Sequence, residues 1–135
     1  MVSRLVIITL VLALVFVLPF AQGNQIWVGY KGTKFTLYEL GCWKDKPFPN
    51  RALLTLYHNA RHNIDWSKWP DMSDIIAECA YWAKVLGYEY FAVQFYGECW
   101  GYKPRPSRYM IYGRATNCVN GVGEHWSNFV YSFSP

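Results

Sequence analysis

Four cysteines, Cys42, Cys79, Cys99 and Cys118, set the strongest limit on what this 135-residue chain can become. They are even in number and spread widely, and an apolar leader precedes them. After Arg4 the run from Leu5 to Phe20 is apolar except for Thr9, carries Pro19 near its end and leads into Ala21-Gln22-Gly23. A charge, an apolar stretch and small residues in that order are the pattern of a secretory signal peptide, with the cut expected between Gly23 and Asn24. The run is shorter than the ~20 residues of a spanning helix, and no later segment is predicted to cross a membrane. In an oxidising compartment the cysteines read as two disulfides, and spacing alone leaves three pairings open. The expectation is a signal peptide over 1–23 and a single secreted, extracellular domain over 24–135.

A chain that is 53% hydrophobic, 19% aromatic and 16% charged is rich enough in apolar side chains to build a core. The formal net charge is +4, with Lys and Arg scattered singly along the sequence, so no nucleic-acid partner is expected. No cofactor or metal is expected either. The cysteines lack the close pairs of a zinc site, and no phosphate loop, dinucleotide fingerprint or Gly-x-Ser-x-Gly motif is present. His58 and His62 would share one face of a helix, yet Asn59 stands where a zinc peptidase needs its Glu. Glu98 with Asp45 would be one of many arbitrary carboxylate pairs for a glycosidase. The chain is not expected to be an enzyme.

Gln25–Tyr30 and 35–43 have strand-like content around the turn residues Lys31-Gly32-Thr33. Lys46-Pro47-Phe48-Pro49-Asn50 reads as a loop, and 52–56 as a short strand leading into an irregular region through Trp69-Pro70. Asp71 and Ser73 offer helix-capping oxygens. Ile75, Ile76, Cys79, Ala83 and Leu86 then recur at helical spacing up to Gly87, predicting an amphipathic helix over 73–86 with Asp74, Glu78 and Lys84 largely outside the buried stripe. Residues 88–96 read as a central strand covered on both faces, and a short segment at 109–112 and a strand at 129–132 complete the inventory. The predicted fold class is α+β, one helix packed on a small antiparallel sheet and stapled by two disulfides.

The order Gly41-Cys42-Trp43-Lys44-Asp45, Arg51-Ala52-Leu53, a helix bearing Cys79, Gly87-Tyr88, a hydrophobic strand and Glu98-Cys99-Trp100 resembles that of a WSC domain across nearly all of 38–131. It is similar in particular to a reduced, four-cysteine form of the module found in secreted invertebrate proteins. WSC domains usually carry eight cysteines, and here Ala83 and Gly101 occupy two of those positions. If the family pairs helix cysteines with those after the strand, their joint loss implies Cys79 with Cys99 and Cys42 with Cys118.

The resemblance implies an extracellular recognition module that binds carbohydrate. Sugar recognition needs aromatic faces for the apolar side of the ring, flanked by charged or amide groups for the hydroxyls. Candidate ligand-binding residues are Trp43, Lys44 and Asp45, then Trp66 and Trp69, then Tyr96, Glu98 and Trp100, with Tyr102 beside them. Trp66 and Trp69 lie in the segment of weakest periodicity and are the expected exposed pair. Asp45 has an alternative role as a turn cap paired with Arg51 inside the fold. Two other classes stay open. One is a structural or protein-interaction component of an extracellular, possibly mineralised, matrix, with a matrix protein as partner in place of a glycan. The other is a small secreted toxin.

Overall fold

The computed structural model describes residues 24–135, so the expected signal peptide lies outside the described residues. Eight strands and one α-helix follow in chain order: β1 (Gln25–Tyr30), β2 (Thr33–Lys44), β3 (Thr55–Asn59), α1 (Ser73–Leu86), β4 (Tyr90–Gln94), β5 (Glu98–Gly101), β6 (Cys118–Val119), β7 (Val122–Gly123) and β8 (Ser127–Ser132). Six of them form one sheet in the order β1-β2-β8-β4-β5-β3, with every neighbour antiparallel. β6 and β7 make a separate small hairpin. This is the expected α+β architecture.

Alternation along the central strands sends side chains to two cores. Phe91 and Val93 of β4 and Tyr131 of β8 face α1, with Val28, Leu37 and the helix residues Ile75, Ile76, Cys79 and Ala83. Ala92 and Val130, the intervening residues, face a second cluster with Trp43, Leu53, Trp100 and Tyr109. The second face is roofed by the short 3-10 turn Pro106–Met110, which takes in the start of the short segment at 109–112. β4 is therefore covered on both sides, as its unbroken apolar reading predicts.

The helix bounds match the expected 73–86, but its two ends are built differently from each other. At the start Met72 precedes the first turn without a side-chain cap, while Asp71 Oδ1 accepts from Ser73 N at 2.9 Å. At the end Gly87 sits at φ 84°, and the Tyr88 N–H donates to Ala83 O at 2.8 Å. That reversal needs the left-handed conformation glycine adopts without strain. It also corrects one expected core residue: Leu86 is exposed, because the chain doubles back beneath Ala83 and Tyr88 packs on the core instead.

Two further corrections have local causes. Glu78, expected outside the stripe, is buried, accepting from Asn63 Nδ2 at 2.8 Å and Tyr30 OH at 3.4 Å with His58 Nε2 3.6 Å away. Polar partners on β1 and the chain after β3 replace its water. Ala52 and Leu53 are buried in a bend and the strand begins only at Thr55. The Ala52 N–H donates to Asp45 Oδ1 at 2.7 Å, so a carboxylate and not a neighbouring strand satisfies it.

Both disulfides have the implied pairing: Cys79–Cys99 ties α1 to β5 and Cys42–Cys118 ties β2 to β6. By loop-closure entropy they contribute about 3 and about 4 kcal/mol. The position after the strand where the WSC pattern has another cysteine has no room for a side chain, since a Cβ on Gly101 would lie 2.5 Å from the Tyr88 ring. Tyr88 in turn stacks on Tyr57, centroids 4.8 Å apart.

Candidate functional site

The antiparallel order brings several loops to one end of the sheet. Lys44 at the end of β2 pairs with Ser127 at the start of β8, Gln94 at the end of β4 pairs with Asn128 and Glu98, and Glu98 pairs with Asn59 at the end of β3. The loops leaving these residues, 45–54, 60–72, 95–97 and 124–126, therefore share that end.

Beneath them lies a buried polar brace. Asp45, 6% exposed, accepts through Oδ1 from the Lys46 and Ala52 N–H groups (2.8 and 2.7 Å) and through Oδ2 from Arg51 Nη1 (3.0 Å) and Gln94 Nε2 (2.7 Å). Arg51 Nη1 also donates to Gln94 Oε1 at 2.9 Å, and Gln94 Nε2 to Asn128 Oδ1 at 2.8 Å. Each Asp45 oxygen thus accepts two bonds within the fold, so the residue serves as the internal pairing partner and turn cap. The Arg51 guanidinium lies over the rings of Trp100 (4.2 Å) and Trp126 (5.0 Å).

On the surface beside the brace, aromatic rings run in an unbroken chain. Trp69 meets Trp66 at 5.8 Å between centroids, Trp66 meets Tyr96 at 5.8 Å, and Tyr96 meets Phe95 at 6.4 Å. Phe95 then meets His125 at 5.1 Å, and His125 meets Trp126 at 4.4 Å. Trp66 is 56% and Trp69 41% exposed. Arg61 lies over Phe95 at 3.6 Å and supplies a guanidinium at the middle of the row.

The backbone holds part of this row in an unusual way. Phe95 and Tyr96 form the centre of the β4–β5 turn with φ of 50° and 66°, and Trp126 has φ 60°. Such turns favour Asn-Gly, and each aromatic residue held there costs about 1–3 kcal/mol. The Phe95 and Tyr96 N–H groups donate to Glu124 O (3.2 Å) and Gly123 O (2.9 Å), while Trp126 O accepts from Asp45 N (3.0 Å). Those bonds fix the turn against the β7–β8 connection. The Trp66 side is fixed by Asp65, whose Oδ1 accepts from Ser67 N (3.0 Å) and Ser67 Oγ (2.6 Å), which holds its carboxyl below the usual carboxylate range. Lys68 Nζ donates to Asp74 Oδ2 at 2.8 Å and ties the same loop to α1.

The eight candidate residues thus separate. Trp66, Trp69 and Tyr96 come together in the row, and Glu98 is half-exposed at the start of β5. Lys44 is exposed at the end of β2. Trp43 and Trp100 are buried in the second core: Trp43 Nε1 donates to Leu40 O at 2.9 Å, and Tyr109 packs edge-on against its ring. Tyr102 packs against the same cluster. Phe95, Trp126, His125 and Arg61 belong to the site although no motif in the sequence points to them. Nothing in their spacing marks them, because three separate loops supply them.

His58 and His62 do not share a helical face, since His58 lies on β3 and His62 in the 3-10 turn Arg61–Asn63. Among the described residues no group of three or more His, Cys, Asp or Glu is placed to hold a metal ion, and no helix is long and apolar enough to cross a membrane. No family model, no curated protein and no solved structure matches this chain.

Proposed function

We propose that this domain is a secreted, WSC-like, non-catalytic recognition module that binds carbohydrate on the ring row of Trp66, Trp69 and Tyr96. The observation that carries the proposal is the β4–β5 turn, where two successive aromatic residues are kept in a conformation that costs stability and would be relieved by Asn-Gly. The turn keeps Tyr96 against Trp66 and Trp69, and exposed rings held this firmly lose little entropy on binding. Arg61 supplies a cationic group beside the rings for sugar hydroxyls, and the half-exposed Glu98 follows the same turn by two residues. The two disulfides fit an oxidising, extracellular setting.

A glycan array probed with the mature domain tests this directly. Binding of at least one oligosaccharide class is expected, weakened about tenfold or more by Trp66→Ala, since stacking of an aromatic ring on a planar partner is worth about 1–3 kcal/mol in the analogous case of nucleic-acid bases. An array without signal overturns the proposal. A second reading, a protein-interaction component of an extracellular matrix, draws on β1. This edge strand contains neither a charge nor a proline and exposes Trp27 at 58%, so it lacks the usual safeguards against strand pairing. Capture of a matrix protein by the domain, lost on Trp27→Lys, would favour it.

A further inference from the structure

Lys and Arg look scattered along the sequence, but the fold gathers many of them. The 44–51 and 103–114 segments are laced together: Trp43 bridges to Arg114, Lys44 N donates to Gly113 O at 2.9 Å, and Tyr112 OH donates to Asn50 O at 2.6 Å. Arg108 Nη2 donates to Arg51 O at 3.3 Å, and Lys46 lies over the Tyr112 ring at 4.4 Å. Arg114 lies over the Trp43 ring at 4.6 Å, and Arg105 precedes Arg108 by one 3-10 turn, so the result is a surface carrying Lys46, Arg105, Arg108 and Arg114. Asp45 is the only carboxylate in either segment, and Arg51 already occupies it. Among the described residues none of those cations has a carboxylate within 4.0 Å, and Glu39, which lines the same cleft as Arg114, is not paired with it.

This cationic surface adjoins the ring row. Asp45 N donates to Trp126 O at the row's end, and Arg51 lies over both Trp126 and Trp100. Phe48, 83% exposed, projects from the same loop as Lys46 and supplies another aromatic face among the charges. Rings for apolar sugar faces therefore lead into unpaired guanidinium and ammonium groups, and guanidinium matches carboxylate and sulfate oxygens in two-pronged geometry.

We infer that the carbohydrate is an acidic polysaccharide, bearing carboxylate or sulfate groups, whose chain runs along the ring row and whose anions sit on the surface of Lys46, Arg105, Arg108 and Arg114. The inference rests on the carbohydrate reading above and adds the ligand's charge. A neutral sugar would leave these cations without any role in recognition. A polyanion would engage several at once and release the counterions they share.

The test compares heparin and polygalacturonate with the same chains after desulfation and carboxyl reduction, at low and at physiological salt, by calorimetry on the mature domain. The acidic forms should bind about tenfold or more tightly, with an advantage that shrinks as salt rises. The combined variant Lys46→Gln and Arg105→Gln should lose much of that advantage while keeping the melting temperature and the weaker binding of the neutral chains. Trp66→Ala should weaken both forms. Equal binding of acidic and neutral chains overturns the inference and leaves the carbohydrate reading standing. An acid preference unchanged in the double variant overturns the assignment to this surface, and one untouched by Trp66→Ala reduces it to plain charge adsorption. Binding of neither form overturns both readings. Binding only to vesicles containing anionic lipid overturns them in favour of a bilayer surface.

Discussion

Two groups of tryptophans meet at the same end of this sheet and have opposite fates. Trp100 and Trp43 follow cysteines directly, and both are pulled into the core beneath a loop pinned by Asp45. Trp66 and Trp69 lie on a short 3-10 turn with no disulfide, and both stay in solvent. A nearby crosslink therefore does not make a ring a rigid surface platform. On a strand the residue after a bonded cysteine points to the opposite face, and here that face is the second core. The exposed rings owe their order to cheaper devices, namely Asp65 on Ser67, Lys68 on Asp74 and the left-handed turn at Tyr96.

If that contrast is right, damage to the buried side should cost stability and damage to the exposed side should not. The largest effect is expected for Asp45→Ala, which strands Arg51, Gln94 and the Ala52 N–H inside the protein. Loss of one partner from a buried charged pair costs about 3–5 kcal/mol, to be read from urea denaturation; a loss below about 1 kcal/mol would mean that water replaces the carboxylate. Next, replacing Cys79 and Cys99 together by Ser should cost about 3 kcal/mol by the same measurement, with no change expected in the arrangement of the ring row. Gly87→Ala should cost about 1 kcal/mol through the strain of a left-handed alanine, and an unchanged melting temperature would contradict the helix end described above.

The smallest effect concerns pH and belongs to the exposed side alone. Hydrogen bonds from Ser67 and Ser73 hold the Asp65 and Asp71 carboxyls below the usual carboxylate range. A lowered folded-state value stabilises the loop above the unfolded-state value, and that contribution disappears as pH falls through the folded-state value. Indole fluorescence from the Trp66 loop should then stay constant from neutral pH down to about pH 5 and change only below about pH 4. Asp65→Asn should remove part of that acid transition.

Much of the framework was legible because it depends on one stretch of chain at a time. The helix from Ser73 to Leu86, the strand of Gln25–Tyr30 and the doubly covered strand at Tyr90–Gln94 each announce themselves by period or by an unbroken apolar run. The disulfide pairing came from the likeness to WSC domains, since spacing left it open. What stayed hidden depends on several segments meeting. The burial of Glu78 is created by Tyr30, His58 and Asn63, and an apolar Ala52-Leu53 becomes a bend because Asp45 caps it. The ring row needs loops from three places, and its left-handed aromatics carry no local signature. Asn120-Gly121, by contrast, is a strong turn signal and does close the β6–β7 hairpin, at φ 51° and 80°. The cationic surface joins segments that sequence order keeps far apart.

The central claim is that the exposed tryptophans recognise a ligand and the buried ones hold the fold. Trp66→Ala and Trp100→Ala, each measured for polysaccharide binding by calorimetry and for stability in urea, test it most directly. The account predicts that Trp66→Ala loses binding about tenfold or more with stability within about 0.5 kcal/mol of the parent, while Trp100→Ala loses about 3–5 kcal/mol of stability. A Trp66→Ala domain that unfolds, or that binds as tightly as the parent, would contradict it.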